Sequence, residues 1–121
     1  MTITAPRIDL DALARALGGR DLDALGSLYA EDVELHVANP SHPPAEGFRV
    51  RGRDEVVAYL RGVPAEVAIT LEDAVVGVDG RVVAHTVCRH PDGKVVCSAW
   101  LLEPDVRGAI VLQKGIEAWD E

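Results

Sequence analysis

His85 and Glu117 are the two side chains in this sequence whose types and positions could carry chemistry together. A neutral imidazole on an otherwise apolar face can take or give a proton near neutral pH, and a carboxylate on the same face can share that work. His85 lies in RVVAHTVCRH and Glu117 in AIVLQKGIEAW. Both stretches alternate as strands, and a two-residue Asp92-Gly93 turn that pairs the His85 strand with the strand at 94–103 sets Trp100 opposite His85. Ser98 shares that face, and Gln113 follows on the next strand. The competing reading makes His85 a hydrogen-bonded core histidine and pairs Glu117 with Arg89 in the same row.

A second group sits earlier in the chain. His36 alternates with Val37, so only one of them points inward, and the apolar pattern favours Val37. Asn39, before Pro40, reads as a turn residue or as a pocket amide, with His42 close by. Tyr29, Trp100 and Trp119 could bound an apolar ligand or fill a core. No His and carboxylate pair has the spacing of a helical metal site, so no metal is expected. The glycines mark turns rather than a phosphate cradle, and no base accompanies Ser or Cys, so neither a cofactor nor a covalent nucleophile is expected.

These residues need elements to position them. Leu10, Leu13, Ala14 and Leu17 form one helical stripe after Asp9, a natural N-cap, and Gly18-Gly19 end it. Asp21 caps a second helix whose apolar face is Leu22, Leu25, Leu28 and Tyr29, with Asp32 near its close. From Val33 the period becomes two, and the prolines of ANPSHPP then break the strand into an ordered rim loop. A third helix starts after Gly52, buries Val56, Val57, Tyr59 and Leu60, and stops at Gly62 and Pro64. Four strands follow: 67–77, 81–90, 94–103 and 109–119.

The turn register gives the strands two faces. One is almost wholly apolar and holds Cys88 opposite Cys97. The other is apolar with His85, Arg89, Ser98, Trp100, Gln113, Glu117 and Trp119 set into it. Three short helices cover one face, which leaves the second for another subunit.

The chain has 121 residues, 48% hydrophobic and 26% charged, which suits one domain over 1–121, with residues 1–7 expected to be flexible. A net charge of −8 argues against nucleic acid as a partner. Arg49, Arg51 and Arg53 form the one basic cluster, a solvated loop edge or an anion site. No apolar run reaches bilayer length and no secretion signal opens the chain, so a cytoplasmic location is expected, with two free thiols rather than a disulfide. Ten of the 12 basic residues are Arg, a bacterial-like composition bias.

The order of helix pair, strand with proline-rich loop, third helix and long meander resembles the nuclear transport factor 2 superfamily. GRDLDALGSLYAEDVELHVANP and the GRDEVVAYL helix start look like its SnoaL-like and ketosteroid-isomerase-like branch. The resemblance implies an α+β cone (also described as cystatin-like), a curved antiparallel sheet wrapped around three helices. A ligand pocket inside and homodimers formed through the outer sheet face would go with it. The ketosteroid-isomerase residues are missing: Val37 (or Asn39), Leu13 and Trp100 stand in their places. The Asp-Arg-Asp set of limonene-epoxide-hydrolase-like members is replaced by Val83, His85 and Gly115. Both alignments put His85, Trp100 and Gly115 on the pocket side. SnoaL-like cyclases are similar to the remaining scheme, a His and a carboxylate removing a carbon-bound proton. The expectation is therefore a cofactor-free isomerase, cyclase or epoxide-hydrolase-like enzyme acting on a small, largely apolar molecule through His85 and Glu117. The alternative is a non-catalytic binding or interaction module.

Overall fold

Asp9 opens helix α1 (Leu10–Gly19) in the computed structural model, which describes residues 6–120. Its carboxylate accepts the Ala12 amide at 2.9 Å. Asp21 repeats the device for α2 (Leu22–Ser27), accepting from Ala24 at 3.1 Å. This second helix ends sooner than its apolar stripe suggests. The Leu28 carbonyl is taken by the Ile110 amide, so the chain pairs into strand β1 (Tyr29–Ala38), and Tyr29 and Asp32 are strand residues.

After the rim loop, Phe48–Arg51 forms β2, a strand the sequence pattern did not reveal, paired antiparallel to β1 with Val37 opposite Phe48. Asn39 and His42 exchange backbone hydrogen bonds, and that bridge returns the chain for the pairing. Helix α3 (Arg53–Arg61) ends at Gly62, as its sequence predicts. Strands β3 (Ala68–Val76), β4 (Val82–Arg89), β5 (Val95–Pro104) and β6 (Ile110–Trp119) complete a sheet of order β2-β1-β6-β5-β4-β3. The sheet is mixed rather than wholly antiparallel, because β1 runs parallel to β6. Among the described residues no helix is long and apolar enough to cross a membrane. Residues 1–5 of the stretch expected to be flexible lie outside those described. The Pro6 and Arg7 carbonyls lie against the Gly80 and Gly108 turns.

The hairpin register differs from expectation by one residue. The His90 amide bonds the Lys94 carbonyl and the Gly93 amide bonds the His90 carbonyl, which makes Pro91-Asp92-Gly93 a three-residue loop. Pro91 presets the first corner, and Gly93, at φ 91°, takes the left-handed position that closes it. The same bonding recurs from Gly77 to Arg81 and from Asp105 to Ala109. Consequently His85 pairs with Ala99, Trp100 with Ala84 and Cys88 with Val96. Because side chains alternate along a strand, one residue of slip carries the whole of β4 to the other face.

The inner face is therefore built from Ile69, Val82, Ala84, Trp100, Leu102 and Ile110 against Leu13, Leu17 and Val56 of the helices. Trp100 lies opposite Gly115, and a Cβ there would overlap the indole ring. Gly115→Ala should cost about 1–3 kcal/mol of stability through overpacking. Gly18→Ala, in open space on α1, should leave stability unchanged or raise it by up to about 1 kcal/mol. Urea titration of the two variants checks the contrast, and equal stabilities would contradict the packing described.

Candidate functional site

Helices and sheet border two neighbouring spaces that share lining residues. The inner cavity is about 60 Å³, lined by Leu13, Leu17, Tyr29, Ser98, Trp100 and Gln113 among others. Its polar groups are mostly engaged. Tyr29 Oη donates to Gln113 Oε1 at 2.7 Å, and Trp100 Nε1 donates to Thr86 Oγ1 at 2.9 Å. Burial pushes the Tyr29 phenol far above its ordinary value, so it remains a neutral donor.

The second space is the open mouth, about 660 Å³, bounded by Phe48, Tyr59, Val63, Val96 and Trp119 with Asn39, His42 and His90 at its edge. Tyr59, Val63, Cys88 and Glu117 line both spaces. Glu117 is the focus of this junction: its Oε1 accepts from Asn39 Nδ2 at 2.9 Å and from Tyr59 Oη at 3.3 Å. Burial, and then the nearby Glu117 charge, push the Tyr59 phenol well above its usual range. No Lys, Arg or His lies within salt-bridge distance of Glu117 among the described residues.

Tyr29, Ser98, Trp100 and Gln113 thus line the inner cavity, while Asn39 and Trp119 line the mouth. Asn39 is both a turn residue and a pocket amide, since its Oδ1 also accepts from Ser41 and His42. Two of the candidate residues are elsewhere. His36 is on the outer face, 3.6 Å from Glu34, because Val37 takes the inward position. His85 is on the outer face too, through the one-residue slip, so the expected pairing of His85 with Glu117 across one pocket is not assembled. Arg89 bonds Thr70 and Glu72 rather than Glu117. The slip brings Thr86 and Cys88 inward instead.

Tyr59 and Phe48 are the pocket residues that sequence reasoning missed. Tyr59 was legible only as one of the buried residues of α3, and Phe48 lies on the unexpected β2. They stack, with ring centroids 5.2 Å apart, and His42 tilts against Phe48 at 5.4 Å. Among the described residues no cluster of His, Cys, Asp and Glu could hold a metal ion. Arg53 is occupied, its Nε and Nη2 donating to the Tyr29 carbonyl at 3.0 and 2.9 Å, while Arg49 and Arg51 are exposed on β2.

Cys88 and Cys97 face opposite sides of the sheet, so the expected juxtaposition fails and they cannot pair within one chain. Burial and the neighbouring Glu117 charge push the Cys88 thiol up. In a Cys97→Ser background, Cys88 should react with a disulfide reagent near pH 8 more slowly than a free thiol. Glu117→Gln should speed it roughly twofold or more by withdrawing one cause of the shift. An unchanged rate would contradict the proximity of the two groups.

Residues 10–107 match the family model of the SnoaL-like domain. The sequence matches no curated protein. Among solved structures, an NTF2-like protein from Mesorhizobium loti is 23% identical with a TM-score of 0.72, over 95% of this chain and 98% of that one. A Mycobacterium tuberculosis protein in complex with estradiol-17β-hemisuccinate is 18% identical, TM-score 0.68, over 90% and 92%. A Catenulispora acidiphila protein with a ketosteroid isomerase-like fold, in complex with trimethylamine, is 25% identical, TM-score 0.65, over 93% and 85%. With that match spanning most of the sequence, and with the helices, curved sheet and cone it implies in place, the chain belongs to the SnoaL-like domain family.

Proposed function

We propose that this protein binds a small, largely apolar organic molecule at the mouth of its cone and that Glu117 moves a proton on it. The reaction would be a cofactor-free isomerisation, cyclisation or hydration. The observation that carries this reading is the Glu117 carboxylate in the lining of both spaces, bonded by Tyr59 and Asn39 and with no Lys, Arg or His within salt-bridge distance among the described residues. A carboxylate so placed can accept a proton from bound ligand, while the Tyr59 hydroxyl and the Asn39 amide hold it in position. The estradiol derivative and trimethylamine held by two relatives of the same fold support a small organic ligand here. His85 has no part in this scheme, because the sheet separates it from the mouth.

That separation favours a second reading, a binder without catalysis, since Glu117 then lacks the expected proton partner. One experiment distinguishes the two. Ligand that co-purifies is identified by mass spectrometry and returned to the protein in deuterium oxide. Wild type should incorporate deuterium at carbon, Glu117→Gln should bind without exchange, and ligand should shield Cys88 from alkylation. Shielding with neither exchange nor conversion of the ligand in wild type would establish the binder, and no shielding would remove the mouth as the site.

The outer face carries Val75, Val83 and Ile116 at 70%, 56% and 68% exposure, with Ala99 and Leu101 between them. A contiguous apolar strip on this scale suits a self-complementary contact with a second copy. We propose a homodimer through this face, in a cytoplasmic setting that keeps both cysteines reduced. Sedimentation at micromolar concentration should give a dimer, and Ile116→Lys should weaken it at least about tenfold, since the charge would be buried. A wild-type monomer would refute it.

A further inference from the structure

The lining of the mouth constrains its ligand more closely than size and polarity do, provided the mouth is the binding site proposed above. Glu117 receives two hydrogen bonds, both on Oε1, and has no cationic partner among the described residues. A half-buried carboxylate left in that state is destabilising unless water or a ligand completes it. Aromatic side chains share this lining: Phe48 stacked with Tyr59, and Trp119. Aromatic faces attract cations through their quadrupole. The carboxylates lining the mouth are Glu117 and Asp120; the cations near it are Lys94, whose side chain is exposed, and Arg20, whose guanidinium is held on the Val63 carbonyl and is not within salt-bridge distance of Glu117. Asp120 accepts the Val95 amide at 2.8 Å, so it is held at the rim.

We propose that the mouth recognises an organic cation, an amine or quaternary ammonium whose charged nitrogen sits at Glu117 and whose apolar substituents lie against Phe48, Tyr59 and Trp119. Carboxylate and rings act in different ways on such a ligand. The carboxylate supplies charge, and the rings supply apolar contact together with the cation attraction. The Tyr59 hydroxyl stays protonated beside the carboxylate, so it adds no second negative charge and keeps Oε1 occupied. The overall charge of −8 raises the local concentration of any cationic ligand.

The test uses two probes of one shape. (4-Hydroxyphenyl)trimethylammonium and 4-tert-butylphenol differ by a charged nitrogen in place of a carbon, and each is titrated calorimetrically and in the Cys88 alkylation assay. The cation should bind at least about tenfold more tightly than its carbon isostere, the equivalent of about 1.4 kcal/mol. Glu117→Gln should erase that difference while leaving 4-tert-butylphenol within about twofold of its wild-type affinity, which also reports that the variant is folded. Trp119→Leu should weaken the cation more than the isostere. Glu31→Gln, which removes one exposed negative charge near the start of β1, outside the lining of the mouth, should change neither, separating a local site from general attraction. If the isostere binds as tightly as the cation and both shield Cys88, the cation assignment falls and the mouth remains a site for neutral molecules. If neither probe binds or shields Cys88, both this inference and the binding reading beneath it are overturned.

Discussion

The seating of Trp100 on Gly115 is the contact on which the interior depends. The indole occupies the volume that a Cβ on β6 would need, and Gly115 in turn pairs with Val37 of β1. Three strands meet beneath one ring. Burying such a ring is worth several kcal/mol, on the scale of the roughly 3–5 kcal/mol lost when a core aromatic is truncated. Its one polar atom is satisfied by Thr86, so the burial carries no unpaired donor. The functional effect is on space. The ring fills the closed end, leaving about 60 Å³ there and about 660 Å³ at the mouth. A cone that could have been a deep pocket is a filled core with an open vestibule.

Polar groups along β6 follow that division. Gln113, deep and buried, meets a neutral phenol, and neither group carries charge into a dry environment. Glu117, four residues on and on the same face, lies where solvent and two donors reach it. Exchanging the two side chains would place an ion at the depth of Tyr29, where desolvation would force it to hold its proton. Period-two alternation puts both on the inner face, and depth decides which of them is an amide and which a carboxylate.

Much of this was legible in the residues. Asp9 and Asp21 announce their helices, the four long strands fall within a residue or two of their alternating runs, and the resemblance to the SnoaL-like branch fixed the architecture. The candidate site was less legible, for a reason that can be traced to Pro91. Asp-Gly suggests a two-residue turn, but proline before it is at home in the first corner of a three-residue loop with glycine closing it. One residue of register then decides whether His85 or Cys88 faces the pocket. The alternation of β4 could not arbitrate, because Val82, Ala84, Thr86 and Cys88 are as acceptable in a core as Val83, His85 and Val87. On β5 and β6 the large Trp100 and the lone Gly115 tolerate a single register, and there the inner face was read correctly. Tyr59 and Phe48 stayed hidden because an aromatic on a helix or a short strand gives no sign of what it will touch.

The arrangement around Glu117 is held from a distance. Its two hydrogen-bond donors come from α3, through Tyr59, and from the loop after β1, through Asn39, while Glu117 itself is on β6. Those three elements are also tied together at the far end of the cone. The Arg53 guanidinium at the start of α3 grips the carbonyl of Tyr29 on β1, and the hydroxyl of Tyr29 reaches Gln113 on β6. Tyr29 is therefore a brace, with its backbone fixing the helix and its side chain fixing the strand. Because α3 is short and rigid between Arg53 and Gly62, fixing its first turn also fixes where its last turn presents Tyr59. The mouth can remain open and half-solvated without losing its geometry, since the order that a binding site requires is supplied by buried bonds that no ligand has to disturb.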